Sequence, residues 1–518
     1  MKKFLLYSLA LLLTFTLSAG RAMAQELELP VQIPELNPKV LEKAQPAIGQ
    51  MLMNPDKATK AIDQAIKATK NDKGQLMALA YWLMQQEDGI QGARYVIEKA
   101  YALNAKDIDV MLLAGDIYGT MGQWGRAGQK YDQVLEVDST NLYALVQGAR
   151  IYKNHNADAS LSLWEKILAL QPAPRQEIQM LAYRNIGDIL YDKNYTGEAL
   201  ENYGKYFDGT PHTKQAINAP SMEKYLIGLF FTEGKEARLA EVGVALHEAD
   251  PTNIVYNRFA FIGSMLTYDS VPATLERIKG YAKYVTDGTT PDSSLIYQDY
   301  FYAYQMCEAG GDYANAVRFL GKAVDKDPTQ VDFLKHGAFR IYDAGQPSIA
   351  AELYDAYCDR KGEEITDEDR LQVLVFYRQG ITACQDSIAQ LDMRDKAFGV
   401  IDRYLSQNTV SAANKYQVLL EKARILNVMK GRNGDQVATA YEEALKACPN
   451  EEAAGMNVYD AYYVLMNHHA SKVADVQTDE EFHQVLSVVR TYCSKALALD
   501  PTNEAVLEMD DLLYQNGH

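Results

Sequence analysis

One phrase recurs at the ends of this chain's helices and constrains its fold. Ala245-Leu246-His247-Glu248-Ala249-Asp250-Pro251-Thr252-Asn253 returns as Ala496-Leu497-Ala498-Leu499-Asp500-Pro501-Thr502-Asn503. Ala323-Val324-Asp325-Lys326-Asp327-Pro328-Thr329-Gln330 is a third copy, and Val134 to Asn141 a fourth, without the proline. Proline is excluded from helix interiors and pushes the residue before it out of the α region. A following Thr or Asn can accept hydrogen bonds from the free amides that open the next helix. A chain that repeats its own stop-and-start punctuation is expected to stack helical hairpins. Its 518 residues exceed one ordinary compact domain, which suits such an array.

Between the punctuation marks lies a second regularity. Gly115 and Tyr118 are followed by Ala127, twelve residues after the glycine, and by Tyr131. The same offsets give Gly148, Ser160, Trp164 and Pro172, then Gly187, Ala199, Tyr203 and Pro211. Small residues at the first and third places let two helices approach, and the aromatic residues fill the space around that contact. This pattern resembles the tetratricopeptide repeat (TPR) family, whose unit is a helix pair of about 34 residues. The resemblance implies an all-α fold, a right-handed α-α superhelix or solenoid of TPR-like hairpins.

The expected organisation follows from these marks. Residues 1–24 read as a signal peptide and 25–73 as an N-terminal helical cap, with a helical pair at 38–70. A TPR array spans 74–253, with repeats near 74–107, 108–141, 141–174, 180–213 and 220–253. A degenerate repeat and hinge occupy 254–296, a TPR pair 297–364 and a degenerate helical repeat 365–409. C-terminal TPR-like repeats and a capping helix fill 410–518. The breaker cluster Asp287 to Ser294 is the candidate hinge between two lobes.

Lys2-Lys3, an apolar run from Phe4 to Leu17 and the Ala22-Met23-Ala24 site have the form of a secretory leader, with cleavage expected before Gln25. No lipoprotein cysteine follows it, since the first cysteine is Cys307. The expected location is therefore exported, periplasmic or associated with the outer membrane, with no transmembrane segment in the mature chain. A net charge of −18 argues against nucleic acid as partner. The cysteines at 307, 358, 384, 448 and 493 have no CxxC spacing and read as structural.

Gly431-Arg432-Asn433-Gly434 lacks the lysine of a phosphate loop, and no G-x-S-x-G or H-E-x-x-H occurs. His468-His469 are adjacent on a helix, about 100° apart, and poorly placed to share a metal. The acidic runs Asp367-Glu368-Asp369 and Asp479-Glu480-Glu481 stand beside Thr366 and Thr478 and read as helix starts. The expectation is a non-enzymatic chain with no cofactor, no metal and no catalytic residue.

Tyrosine is the compositional outlier, with 35 residues against 14 Phe and 3 Trp. In TPR proteins the first helix of each repeat lines a concave groove. Carried over by position, the resemblance implies partner-binding candidates at Asp116, Tyr152, Lys153, Arg184, Asp188, Tyr191, Phe301, Gln305, Lys335, Phe339 and Tyr342. Leu112, Leu145, Glu308 and Asp343 hold neighbouring places. Asp116 and Asp188 stand where a carboxylate-clamping groove would need Asn. The function expected is an interaction scaffold or adaptor of the bacterial envelope that holds a partner protein's segment in the groove. The alternative is a glycan- or nutrient-binding envelope protein with an aromatic groove.

Overall fold

The computed structural model describes residues 27–407 and 410–515. The expected leader and its cleavage point lie outside the described residues. Everything regular among the described residues is helical, and no helix there is long and apolar enough to cross a membrane. The chain divides into two compact units, one ending at Thr267 and the other beginning at Tyr268. That division falls upstream of the Asp287–Ser294 cluster. The segment 254–296, read from sequence as a single degenerate repeat, is split between the units.

Unit 1 opens with an extended segment, 27–37, followed by α1 (Pro38–Ala44) and α2 (Pro55–Ala68). Hairpins follow in series: α3 (Lys73–Met84) with α4 (Ile90–Leu103), α5 (Ile108–Thr120) with α6 (Trp124–Val137), and α7 (Leu142–Tyr152) with α8 (Ala157–Ala169). Next come α9 (Gln176–Asp192) with α10 (Thr196–Gly209), then α11 (Ala219–Phe231), and α12 (Glu236–Ala249) against α13 (Ile254–Leu266). Unit 2 begins with α14 (Pro272–Tyr281) and α15 (Lys283–Thr286). It continues with the pairs α16 (Tyr297–Ala309) and α17 (Tyr313–Lys326), then α18 (Asp332–Asp343) and α19 (Pro347–Lys361). Within the stretch 365–409, irregular in sequence, residues 367–405 form one more hairpin, α20 (Asp367–Ala383) and α21 (Ser387–Leu405). Then come α22 (Ala412–Val428) with α23 (Gly434–Ala447), the short α24 (Glu451–Ala454), α25 (Tyr459–Lys472) with α26 (Asp479–Leu499), and the closing α27 (Glu504–Gln515).

The punctuation works through a division of labour. Asp138, Asp250, Asp327 and Asp500 each accept both the backbone N–H and the hydroxyl of the Thr two residues later. That Asx-type turn stops one helix. The Asn that follows caps the next: Asn141 accepts from Ala144 N, Asn253 from Val255 and Tyr256 N, and Asn503 from Val506 N. Thr therefore serves the stop and Asn the start. Where Gln330 replaces the Asn, a 3₁₀ turn at Pro328–Gln330 precedes α18, which starts with no side-chain cap. Within hairpins, first helices close on a left-handed residue: Gly122 (φ 70°), Asn194 (φ 63°), Gly311 (φ 74°) and Gly345 (φ 79°).

The glycine–tyrosine spacing is a steric fit. A Cβ on Gly115 would lie 2.6 Å from the Tyr131 ring, and one on Gly187 would lie 2.7 Å from the Tyr203 ring. Ser160 takes the small position in its hairpin because its hydroxyl donates to Ala149 O at 2.7 Å. The tightest approach is α12 on α13. A Cβ on Gly263 would meet the Ala240 backbone at 2.7 Å, and one on Gly243 the Phe259 backbone at 2.7 Å.

Thr366 and Thr478 both close capping boxes, so the two acidic runs are helix starts as expected. All five cysteines are free. Burial pushes the Cys307 thiol up to about 11 and Cys358 up to about 12, which makes both poor nucleophiles at neutral pH.

Candidate functional site

The first-helix positions picked out by spacing fall into two groups. Asp116, Lys153, Asp188 and Lys335 are engaged inside the protein. Tyr131 and Tyr143 both donate to the Asp116 carboxylate, at 2.5 and 2.7 Å. Burial raises the Asp116 pKa, and the two phenol bonds only partly offset it. Asp188 accepts from Tyr203 at 3.0 Å and pairs with Lys153 at 3.0 Å, while Lys153 also reaches Asn185 at 3.2 Å. Lys335 pairs with Asp369 at 2.6 Å, beside bonds to Asp369 from Tyr354 at 2.8 Å and Thr366 at 2.6 Å. Burial pushes the Asp369 carboxyl up, yet Lys335, Thr366 and Tyr354 outweigh it and hold the pKa at about 2.

These pairs belong to a ladder that sequence reasoning missed. In unit 1, Lys73 meets Asp107 at 2.9 Å across 34 residues, Lys193 meets Asp158 across 35, and Lys224 meets Asp192 at 2.5 Å across 32. In unit 2, Lys326 meets Asp292 at 2.6 Å across 34 residues and Arg360 meets Asp325 at 3.0 Å across 35. Four of these five join neighbouring helical pairs, while Lys326–Asp292 ties the end of α17 to the turn that leads into α16. The signal was present in the sequence as Lys or Arg about one period from Asp. Its consequence for the site is direct: these charges hold the stack together and are not free for a ligand.

The second group stays available on the first helices. In unit 1, Tyr152 donates to Asp132 at 2.5 Å and walls a recess of about 710 Å³ with Arg94, Trp124, Arg126 and His155. Tyr191 carries Lys224 over its ring at 5.5 Å. Arg184 lines a larger recess of about 950 Å³, together with Arg175, Ile178, Leu181 and the extended segment's Leu27 and Glu28.

In unit 2 the available surface is aromatic. Phe339 is 39% exposed and meets Tyr354 and Phe376 edge-on at 5.6 and 5.5 Å. Tyr342 stacks on Phe376 at 4.6 Å. Phe301 stacks on Tyr297 at 5.4 Å and meets Phe333 at 5.2 Å. Beside these rings Gln305 and Glu308 of α16 face Arg340 of α18 across a recess of about 440 Å³, bridged by the Arg340–Glu308 pair at 2.6 Å. Most of the tyrosine cluster on α16 is spent in the core: Tyr297, Tyr300 and Tyr304 are buried. The His468–His469 pair is likewise occupied, with the rings 5.3 Å apart edge-on and a carboxylate beside each.

Hairpins of repeat length, joined in sequence, with a glycine under a tyrosine ring and bonds one period apart, decide the architecture. The fold is TPR-like. No family model matches the chain, and no curated protein matches it. Among solved structures the TPR-like chain is similar to YrrB, described as a TPR protein with an unusual peptide-binding site. The identity is 16% and the TM-score 0.31, over 38% of this chain and 97% of that one. It is also similar to Pseudomonas aeruginosa pilF, at 18% identity and TM-score 0.30 over 43% of this chain and 96% of that one. Yeast Tom70 is matched at 15% identity and TM-score 0.21, over 85% of this chain and 99% of that one.

Proposed function

We propose that this TPR-like chain is a non-enzymatic interaction scaffold that binds a partner protein's segment on its first helices. The observation that carries this reading is the aromatic ledge of unit 2. Phe339, Tyr342 and Phe376 lock one another edge-on and face-on, so the exposed ring of Phe339 is presented in a fixed position beside the Arg340–Glu308 recess. A rigid aromatic anchor with polar groups at its edge is what protein interfaces use, because little side-chain entropy is lost on binding. The bacterial envelope is the proposed location, on the strength of the leader at residues 1–24.

Replacing Phe339 with a benzophenone amino acid tests the reading. Illumination of cells should give one discrete protein adduct, and the same probe at Glu443 on α23 should give none. Retention on a polysaccharide column with no adduct would move the assignment to the glycan-binding alternative. Cell fractionation and an N-terminus at Gln25 test the location.

A further inference from the structure

Residues 27–36 run as extended backbone along unit 1, and burial alternates with period two from Leu27 to Pro34, with Leu36 one place out of phase. Leu27, Leu29, Val31, Ile33 and Leu36 are half-buried, while Glu28, Pro30, Gln32, Pro34 and Glu35 are exposed. The apolar side chains pack against the core cluster of the first hairpins, Val40 to Ala144, and Leu27 also reaches the next cluster, Leu145 to Ile189. One end is fixed at the start of α3: Asn37 N donates to Gln75 Oε1 at 2.8 Å, and Gln75 Nε2 donates to Glu35 O at 3.0 Å. A Cβ on Gly74 would crowd Pro34 at 3.2 Å, so the glycine makes room for it. The other end, Leu27 and Glu28, lies against Arg175, Ile178 and Arg184 at the start of α9.

The segment therefore passes the N-terminal turns of the first helices from α3 to α9. Nine steps of extended chain span roughly 30 Å. Three steps between neighbouring hairpins, at about 10 Å each, span the same distance. The segment and the row of helix starts match in length. Prolines at positions 30 and 34 remove N–H donors from the exposed edge and keep the segment a single ribbon with no tendency to recruit a second strand. Among the described residues, the hydrogen bonds tying the segment down are at its Glu35–Asn37 end, and the rest is held by side-chain burial. Such a segment can peel away from its Leu27 side without breaking a ladder.

We propose that residues 27–36 are an internal ligand of unit 1, and that a partner's extended segment with an apolar side chain at every second position displaces them. The seated segment defines what the face reads: extended backbone, alternate apolar side chains, and an acidic residue near Arg175 and Arg184. The roughly 950 Å³ recess beyond Leu27 gives an incoming segment a place to start before exchange. This deepens the scaffold reading, but it concerns unit 1 alone. The crosslink at position 339 in unit 2 succeeds or fails independently of it.

The test uses the full chain and a fluorescent decapeptide of residues 27–36. Val31→Asp with Ile33→Asp should free the face, so the peptide should bind this variant saturably at one to one and bind the unaltered chain at least tenfold more weakly. A peptide with its apolar residues shifted by one place should also bind at least tenfold more weakly. Equal binding to both chains, or no binding to a variant of unchanged helical circular dichroism, would overturn the proposal. So would a dimer, seen by light scattering, that exchanges segments between copies and excludes the peptide. If the double-aspartate chain does not fold, the milder Leu29→Ala with Val31→Ala chain decides. A several-fold gain in peptide binding supports the proposal, and unchanged binding overturns it.

Discussion

Asp116 in unit 1, half-buried, and Asp369 in unit 2, buried, each accept a phenol from a tyrosine fifteen residues away on a neighbouring helix. Their electrostatics are opposite. Asp116 has two tyrosines and no cation bonded to it, so burial wins and its pKa rises. Asp369 has Lys335 as well, and its pKa falls to about 2. The lysine comes from one repeat earlier. The residue at the same distance before Asp116 is Trp82. A buried carboxylate thus costs or contributes stability according to what the neighbouring hairpin supplies at a single position.

The contrast extends to how each unit is held. Unit 1 places backbone against backbone at Gly243 and Gly263, whereas unit 2 gathers rings and ion pairs around Phe376 and Asp369. All three tryptophans (Trp82, Trp124 and Trp164) lie in unit 1, so their fluorescence reports that unit while circular dichroism reports both. The largest expected effect is Gly263→Ala, whose methyl has only backbone to push. We expect about 3 kcal/mol of destabilisation, seen as a lower urea midpoint by tryptophan fluorescence. A shift in the circular dichroism alone would place the cost in the wrong unit.

Lys335→Met comes next, at about 2 kcal/mol, because it leaves a buried carboxylate with only phenol and hydroxyl partners. It should lower the circular dichroism midpoint and leave the tryptophan transition in place. The pH dependence sharpens this. Asp369 is depressed in the folded state, so its contribution is complete above about pH 4 and is lost as pH falls towards 2. The stability gap between the natural chain and Asp369→Asn should close over that window. Tyr131→Phe should cost about 1 kcal/mol, the net value of one buried hydrogen bond.

The smallest effect carries the comparison. Asp116 is raised in the folded state, so its contribution is unfavourable above the folded pKa and recedes as pH falls. Asp116→Asn should leave the tryptophan midpoint at pH 7 unchanged or higher, within about 0.5 kcal/mol. A clear loss at pH 7 would put Asp116 in the same class as Asp369.

Helix order and hairpin pairing were legible because stop and start signals are local: an Asp, a Thr and an Asn act within a few residues of where they are written. The glycine–tyrosine fit was legible for a related reason, since both members lie in one hairpin. The fate of Asp116, Lys153, Asp188 and Lys335 was not, because each has a partner from a neighbouring hairpin (Tyr143 for Asp116, Lys153 for Asp188 and Asp369 for Lys335), and position on a helix does not reveal it. Phe339 and Tyr342, by contrast, were singled out by position and do sit on an accessible aromatic surface. The extended segment went unread for a different reason. Leu27, Leu29, Val31 and Ile33 alternate with period two, and a chain scanned for the 3.6-residue period of helices passes over them.

The ladder of ion pairs has a consequence for how such a chain can lengthen. Each rung joins a hairpin to its immediate neighbour across 32 to 36 residues. Partners one period apart hold equivalent places in successive hairpins, so each module carries only one sign at that place. A hairpin copied in frame would set like charge against like charge at the new junction. The ladder therefore makes the modules non-interchangeable, each rung naming the neighbour that can follow it.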